Sequence, residues 1–234
     1  MSNARPRLAA AAVVTGIAVL IGLGTWQLAR RAEKHTLIAL IESRMAAPPV
    51  ALPAVIGDAD AFDYRRMVVA GRFLHGKDMR LLNRVLDGRA GVHVVTPLAR
   101  DGGTTVLVNR GWAPGDPAAP APPPAGAGGE RVTVTGIARV PRPPGPFVPA
   151  NDAARGLWYA LDIAAMATAR DLGPVAPVIV WADAARGDAG GYPRGGQAPP
   201  MLQDNHLSYA LTWYSLALAL AVIAVIARRR ALRG

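Results

Sequence analysis

The chain has 234 residues, 51% of them hydrophobic, a formal net charge of +10 and no cysteine. The absence of thiols excludes disulfides, Cys-based metal sites, Cys-x-x-Cys-His attachment of c-type haem and thiol relays. Much of the positive charge flanks two apolar runs at the ends of the sequence, so it reads as an anchor for anionic lipid headgroups and not as a nucleic-acid surface.

The first apolar run is Leu8 to Leu28, with Thr15, Thr25 and Gln27 as its polar members and Arg5 and Arg7 ahead of it. At about 20 residues it exceeds the apolar core of a secretory signal, and no Ala-x-Ala cleavage site follows it, so the expectation is a retained transmembrane helix over residues 8–28. Leu37, Leu40, Ile41 and Met45 then share one helical face, which predicts a helix continuing from Arg31 to Ala46, where Pro48 and Pro49 stop it. Strand patterning follows. Arg66–Phe73, Met79–Leu86, Gly91–Ala99, Thr104–Asn109, Arg131–Val140 and Pro177–Trp181 are rich in β-branched residues and bounded by turn residues. Asp101-Gly102-Gly103 makes the third and fourth of these a hairpin. Leu161–Leu172 has helical spacing. Residues 113–129 and 187–200 are saturated with Pro, Gly and Ala and predict mobile loops. Six strands and one helix predict an α+β domain with a mainly antiparallel, barrel-like sheet over residues 29–205.

The second apolar run, Leu207 to Ala227, predicts a transmembrane helix over residues 206–227, followed by Arg228, Arg229, Arg230 and Arg233. That arginine cluster places both termini in the cytoplasm and the middle of the chain outside it. Arg30, Arg31 and Lys34 after the first run argue the other way, but the asymmetry around the second run is larger. With no Arg- and Ser-rich transit segment, the expected location is a bacterial inner membrane with a periplasmic central domain.

Nothing in the sequence recruits a catalytic group. There is no Gly-x-Ser-x-Gly elbow, no phosphate-cradling glycine loop and no His-Glu-x-x-His pair, and the four histidines, His35, His75, His93 and His206, lie at no metal-ligand spacing. A membrane-anchored enzyme would need a cluster of titratable groups that the sequence does not show. The second span is more informative. On a helix starting near Asp204 or Asn205, residues His206, Tyr209, Ala210 and Trp213 fall on one face, and Ser208, Thr212 and Ser215 fall on the opposite one. The hydroxyl face suits contact with the first span, where Ala12 and Gly16 are small. The imidazole face has two readings: an ordinary aromatic belt, or a site where neutral His206 ligates iron beside flat aromatic rings. Trp26 and Arg30, one turn apart on the first span, have the same two readings, with Arg30 as partner for a carboxylate tail.

Several segments taken together resemble the Surfeit-locus (Shy) family of cytochrome c oxidase assembly factors. They are Gly24-Thr25-Trp26-Gln27-Leu28 with Arg30, Val94 to Leu98, Val106 to Trp112, Pro146 to Asp152, Gly191-Tyr192-Pro193, and Asn205-His206-Leu207 with Tyr209 and Thr212-Trp213-Tyr214. The resemblance implies two spans around an exported domain and a non-enzymatic role in maturing haem-copper oxidase. It implies that haem a is bound, with His206 as iron ligand and Trp26, Arg30, Tyr209 and Trp213 around it. The implied partners are oxidase subunit I, haem a synthase and membrane lipid. The alternative is a membrane scaffold or chaperone that grips the oxidase subunit without binding haem. Arg110 is expected to be packed and not catalytic, and His75 and His93 to be strand histidines. The long Pro/Ala segment from Ala113 departs from the family pattern.

Overall fold

A computed structural model of the chain describes residues 4–101, 103–115, 129–184, 191–197 and 204–233, with side chains described from Leu8 onward. In chain order the elements are α1 (Ala4–Ala46), β1 (Val50–Ala51), a 3-10 turn (Asp60–Phe62), β2 (Arg66–Phe73), β3 (Met79–Leu86), β4 (Arg89–Arg100), β5 (Thr105–Pro114), β6 (Arg131–Arg139), β7 (Leu157–Trp158), α2 (Ile163–Ala169), β8 (Val175–Ala182) and α3 (His206–Ala231). The chain divides into two compact units, one built from Met1–Ile41 with Leu202–Gly234 and one from Glu42–Met201.

The larger unit is an α+β domain whose sheet closes on itself. Five strands form the ring: β2 pairs with β6, β6 with β8, β8 with β5, β5 with β4, and β4 returns to β2. All these pairings are antiparallel except β5 with β8. The side-chain period of two explains the core. Val106 and Val108 point into one cluster with Val178 and Val180, while Leu107 joins Ile179 and Trp181 in a second cluster on the other face. β5 and β8 are thus covered on both faces, as the parallel pair of a sheet usually is. The second cluster is closed by Met166 of α2 and Trp158 of β7.

Helix α2 is shorter than its apolar pattern. Asp162 caps its start by accepting from the Ala165 N–H at 3.0 Å. Its end is set where Asp171 takes φ 48° and the Leu172 N–H turns back to the Ala167 carbonyl at 3.1 Å. β5 runs past Asn109 to Pro114, so Ala113 is a buried strand residue and not the start of a loop. Most of the Pro/Gly/Ala stretches expected to be mobile, 116–128, 185–190 and 198–200, lie outside the described residues.

Two helices are long and apolar enough to cross a membrane, over Leu8–Ala46 and His206–Ala231, and the smaller unit holds the first as far as Ile41 and all of the second. They pack through small residues, which lets the backbones approach. A Cβ on Gly16 would lie 3.3 Å from Leu220, and one on Gly24 only 2.7 Å from the ring of Tyr214. On α3 the inward positions are Ala210 and Ala217, both buried. This corrects the expectation of a hydroxyl seam. Ser208, Thr212, Ser215 and Ala12 are exposed, and the Thr212 hydroxyl donates to the Ser208 carbonyl of its own helix at 2.9 Å. The seam has the small residues that the helix contact needs, and its hydrogen bond comes from another pair: Tyr214 Oη and Thr25 Oγ1, 3.1 Å apart.

Candidate functional site

The polar groups of the helix pair converge at the start of α3. Asp204, two residues before His206, accepts the His206 backbone N–H at 2.9 Å and the His35 ring Nε2–H at 2.8 Å, and Arg31 Nε lies 3.5 Å from the same carboxylate. The His206 backbone N–H, with His35 beside it, holds the Asp204 carboxyl below its ordinary range. Asn205 occupies the cap position without a side-chain cap bond, so Asp204 is the residue that meets the open end of the helix.

His206 itself is half-buried, and its Nδ1 sits 2.6 Å from Oε1 of Gln27 on α1. An amide oxygen only accepts, so Nδ1 carries the hydrogen. In the neutral ring Nε2 is then left with its lone pair. A histidine that ligates metal characteristically donates its other N–H to a carbonyl or carboxylate, which fixes both tautomer and ring orientation. The Gln27–His206 pair has that form, so the residues present fit an iron-bound imidazole.

The other sequence-nominated residues lie around this pair and not in contact with it. Trp26 is 51% exposed, with the Arg30 guanidinium 5.8 Å from its ring centroid. Arg30 also pairs with Glu33 at 2.8 Å. Tyr209 is 57% exposed and Trp213 half-buried. Among the described residues no hydrogen bond or ring contact joins His206 to these four, and no three His, Cys, Asp or Glu side chains form a metal-binding group. The structure brings together Trp26 with Arg30 and His206 with Gln27. Gln27, Asp204 and His35 were not nominated from the sequence. The signal for Gln27 was present: an uncharged amide inside an apolar span needs a partner, and the other span offered a histidine.

In the barrel, His93 is buried and its Nδ1 lies 3.0 Å from the Asn109 Nδ2, which can only donate. The Asn109 oxygen is turned to the Gly111 N–H at 3.0 Å, which fixes the amide. Burial, with the Arg84 charge nearby, pushes the His93 pKa down to about 4. Arg110 lies over the Phe73 ring at 5.0 Å, a packing role. Two of the sequence motifs meet here. The Trp112 N–H donates to the Arg194 carbonyl at 2.9 Å, and the Arg194 N–H returns to Trp112 at 2.7 Å. Gly111, at φ 115°, is required because a Cβ there would sit 1.9 Å from the Arg194 oxygen. Asn151, in Pro146–Asp152, accepts from the Tyr159 and Ala160 N–H groups at 2.8 and 3.0 Å and fixes the loop that enters α2.

Comparison with known proteins adds a family match over most of this length. The model of the SURF1 family matches residues 14–218. A SURF1-like protein of Monosiga brevicollis is 38% identical over 226 residues, covering 91% of this chain and 84% of the relative. Surfeit locus protein 1 of Mus musculus is 38% identical over 219 residues, covering 86% and 70%. The Homo sapiens protein of the same name is 36% identical over 214 residues, covering 85% and 70%.

Proposed function

We propose that this chain, which belongs to the SURF1 family, is a non-enzymatic assembly factor for haem-copper (cytochrome c) oxidase that binds haem a through His206. In this reading it sits in a bacterial inner membrane with cytoplasmic termini, and it holds haem a for insertion into or stabilisation in oxidase subunit I. Haem a synthase and membrane lipid are its further partners. The observation that supports it most is the tautomer of His206: Gln27 takes the Nδ1 hydrogen at 2.6 Å and leaves Nε2 as the ring's acceptor. Bound haem would supply an iron centre for that lone pair and an apolar ring with carboxylate tails. Trp26, Tyr209 and Trp213 offer aromatic faces to the ring, and Arg30, stacked on Trp26, offers a cation to a carboxylate. Asp204 and His35 fix the first turn of α3, from which His206 projects.

The test is an absorption spectrum of the full chain purified from cells that make haem a, beside the His206→Ala variant. The wild type should carry a haem a Soret band, and the variant should lose most of it while keeping its helical circular dichroism and membrane insertion. A wild type with no haem would leave the scaffold reading in its place. Full occupancy in the variant would show that another residue ligates the iron.

A further inference from the structure

The barrel unit carries a cavity whose chemistry the proposed haem site does not use. It measures about 400 Å³ and is lined by Arg84, His93, Arg139, Arg142, Trp181 and Gln197 among others, with no acidic side chain in its wall among the described residues. The three arginines are not equivalent. Arg139 donates to Asp63 at 2.9 Å, and Arg142 reaches Asp60 at 3.1 Å, so both are neutralised. Arg84 donates to the carbonyl of Asn83 at 3.2 Å and pairs with no carboxylate among the described residues. Its position is built by the fold. The β3–β4 register slips between Leu81 and Arg84, and Asn83 takes φ 57°. A bulge of this kind re-aims the side chain that follows it.

Of the other polar groups in the wall, the Gln197 amide can donate or accept, and the His93 ring can donate. His93 uses Nδ1 to accept from Asn109, so its hydrogen is on Nε2. Trp181 is 8% exposed and packs edge-on to the His93 ring at 5.3 Å. Burial also lowers the Arg84 pKa, the mark of a cation with too little compensating charge.

The cavity adjoins a second one of about 740 Å³, and Val140, Pro141, Arg142, Ala160 and Leu161 line both. That second wall includes Pro143, Pro144 and Pro177, whose nitrogens carry no hydrogen. An extended peptide would find few donors for its carbonyls there, whereas a hydrocarbon chain needs none. We infer that this groove binds a small amphiphilic carboxylate, its head at Arg84 and His93 and its apolar body along the proline-lined channel.

The probe is sodium octanoate, titrated against the full chain in lipid nanodiscs and followed by tryptophan fluorescence. Octanol and inorganic phosphate are run in parallel. Octanoate should saturate, while octanol and phosphate bind at least tenfold more weakly. Arg84→Gln should weaken octanoate roughly tenfold or more, the effect of losing a charge-assisted hydrogen bond. Ala160→Leu, which narrows the channel without touching the charge, should weaken octanoate and leave phosphate unchanged; it carries the test if Arg84→Gln does not fold. Equal binding of octanol would overturn the carboxylate head, and equal binding of phosphate the apolar channel. Unchanged octanoate affinity in a folded Arg84→Gln protein, or in Ala160→Leu, would overturn the site.

Discussion

The barrel and the helix pair each hold one histidine by a hydrogen bond at Nδ1, and the two bonds run in opposite directions. In the barrel Asn109 donates to His93, which uses up the ring's lone pair and leaves a hydrogen on Nε2. Between the helices His206 donates to Gln27, and in the neutral ring Nε2 keeps its lone pair. Both partners are primary amides, so residue type does not decide the outcome. What decides it is which end of the amide faces the ring. In the barrel that is settled by Gly111, whose N–H takes the Asn109 oxygen and turns the nitrogen toward His93. The comparison separates a structural histidine from one able to ligate metal by hydrogen-bond direction alone, before any cofactor is considered.

The sharpest way to break this comparison is to change pH, because burial makes protonation of the barrel histidine costly. The ordinary value for His93 is 6.5 and burial lowers it to about 4. As pH falls through 6.5 the unfolded chain takes up this proton and the folded chain refuses it, so stability falls. The loss grows until about pH 4 and then levels off, and above 6.5 the group contributes no pH dependence. Its full extent is on the order of 3 kcal/mol. Urea titrations of the full chain in detergent should show this slope, measured as the difference between wild type and His93→Gln. Equal slopes would mean that His93 is protonated inside the barrel and that the direction of the Asn109 bond is wrong.

The next effect is read on the helices. Gln27→Leu removes the acceptor that selects the His206 tautomer, and loss of such a partner costs metal affinity about tenfold or more. Gln27→Glu keeps an acceptor and should restore haem retention. If Leu and Glu behave alike, Gln27 serves packing only and the tautomer argument fails.

The two regions also differed in how legible they were. The barrel's long strands stood out because β-branched runs alternate with turn residues, and β2 and β3 have the boundaries that patterning predicted. The two-residue strands β1 and β7 have no period to detect. The end of β5 was hidden because Gly111 reads as a turn, whereas its positive φ serves a close approach to Arg194. The parallel pairing of β5 with β8 joins segments distant in sequence and leaves no local trace. In the helix pair the spans were plain from hydropathy, but the facing residues were not. A hydroxyl stripe and a glycine stripe are equally plausible seams in lipid, and only the backbone approach at Gly24 decides between them. Gln27 was visible as an oddity, and its partner was not.

The smallest effect concerns that seam. The Thr25 hydroxyl donates to the Ile21 carbonyl of its own helix at 2.9 Å, which commits its hydrogen. The Tyr214 hydroxyl must therefore be the donor in the 3.1 Å contact between the helices. Removing it by Tyr214→Phe deletes one interhelical bond and strands no buried donor, since Thr25 keeps its own. The ring still covers Gly24, so the close packing survives. The expected cost is about 0.6 kcal/mol, typical of hydrogen bonds between membrane helices. Thr25→Val deletes the same bond from the other side and should cost about as much, with no further loss in the double variant. A reversible unfolding measurement in mixed micelles can read this cycle. If the two single losses add in full, the hydroxyls do not interact, and the seam is held by its glycine contacts alone.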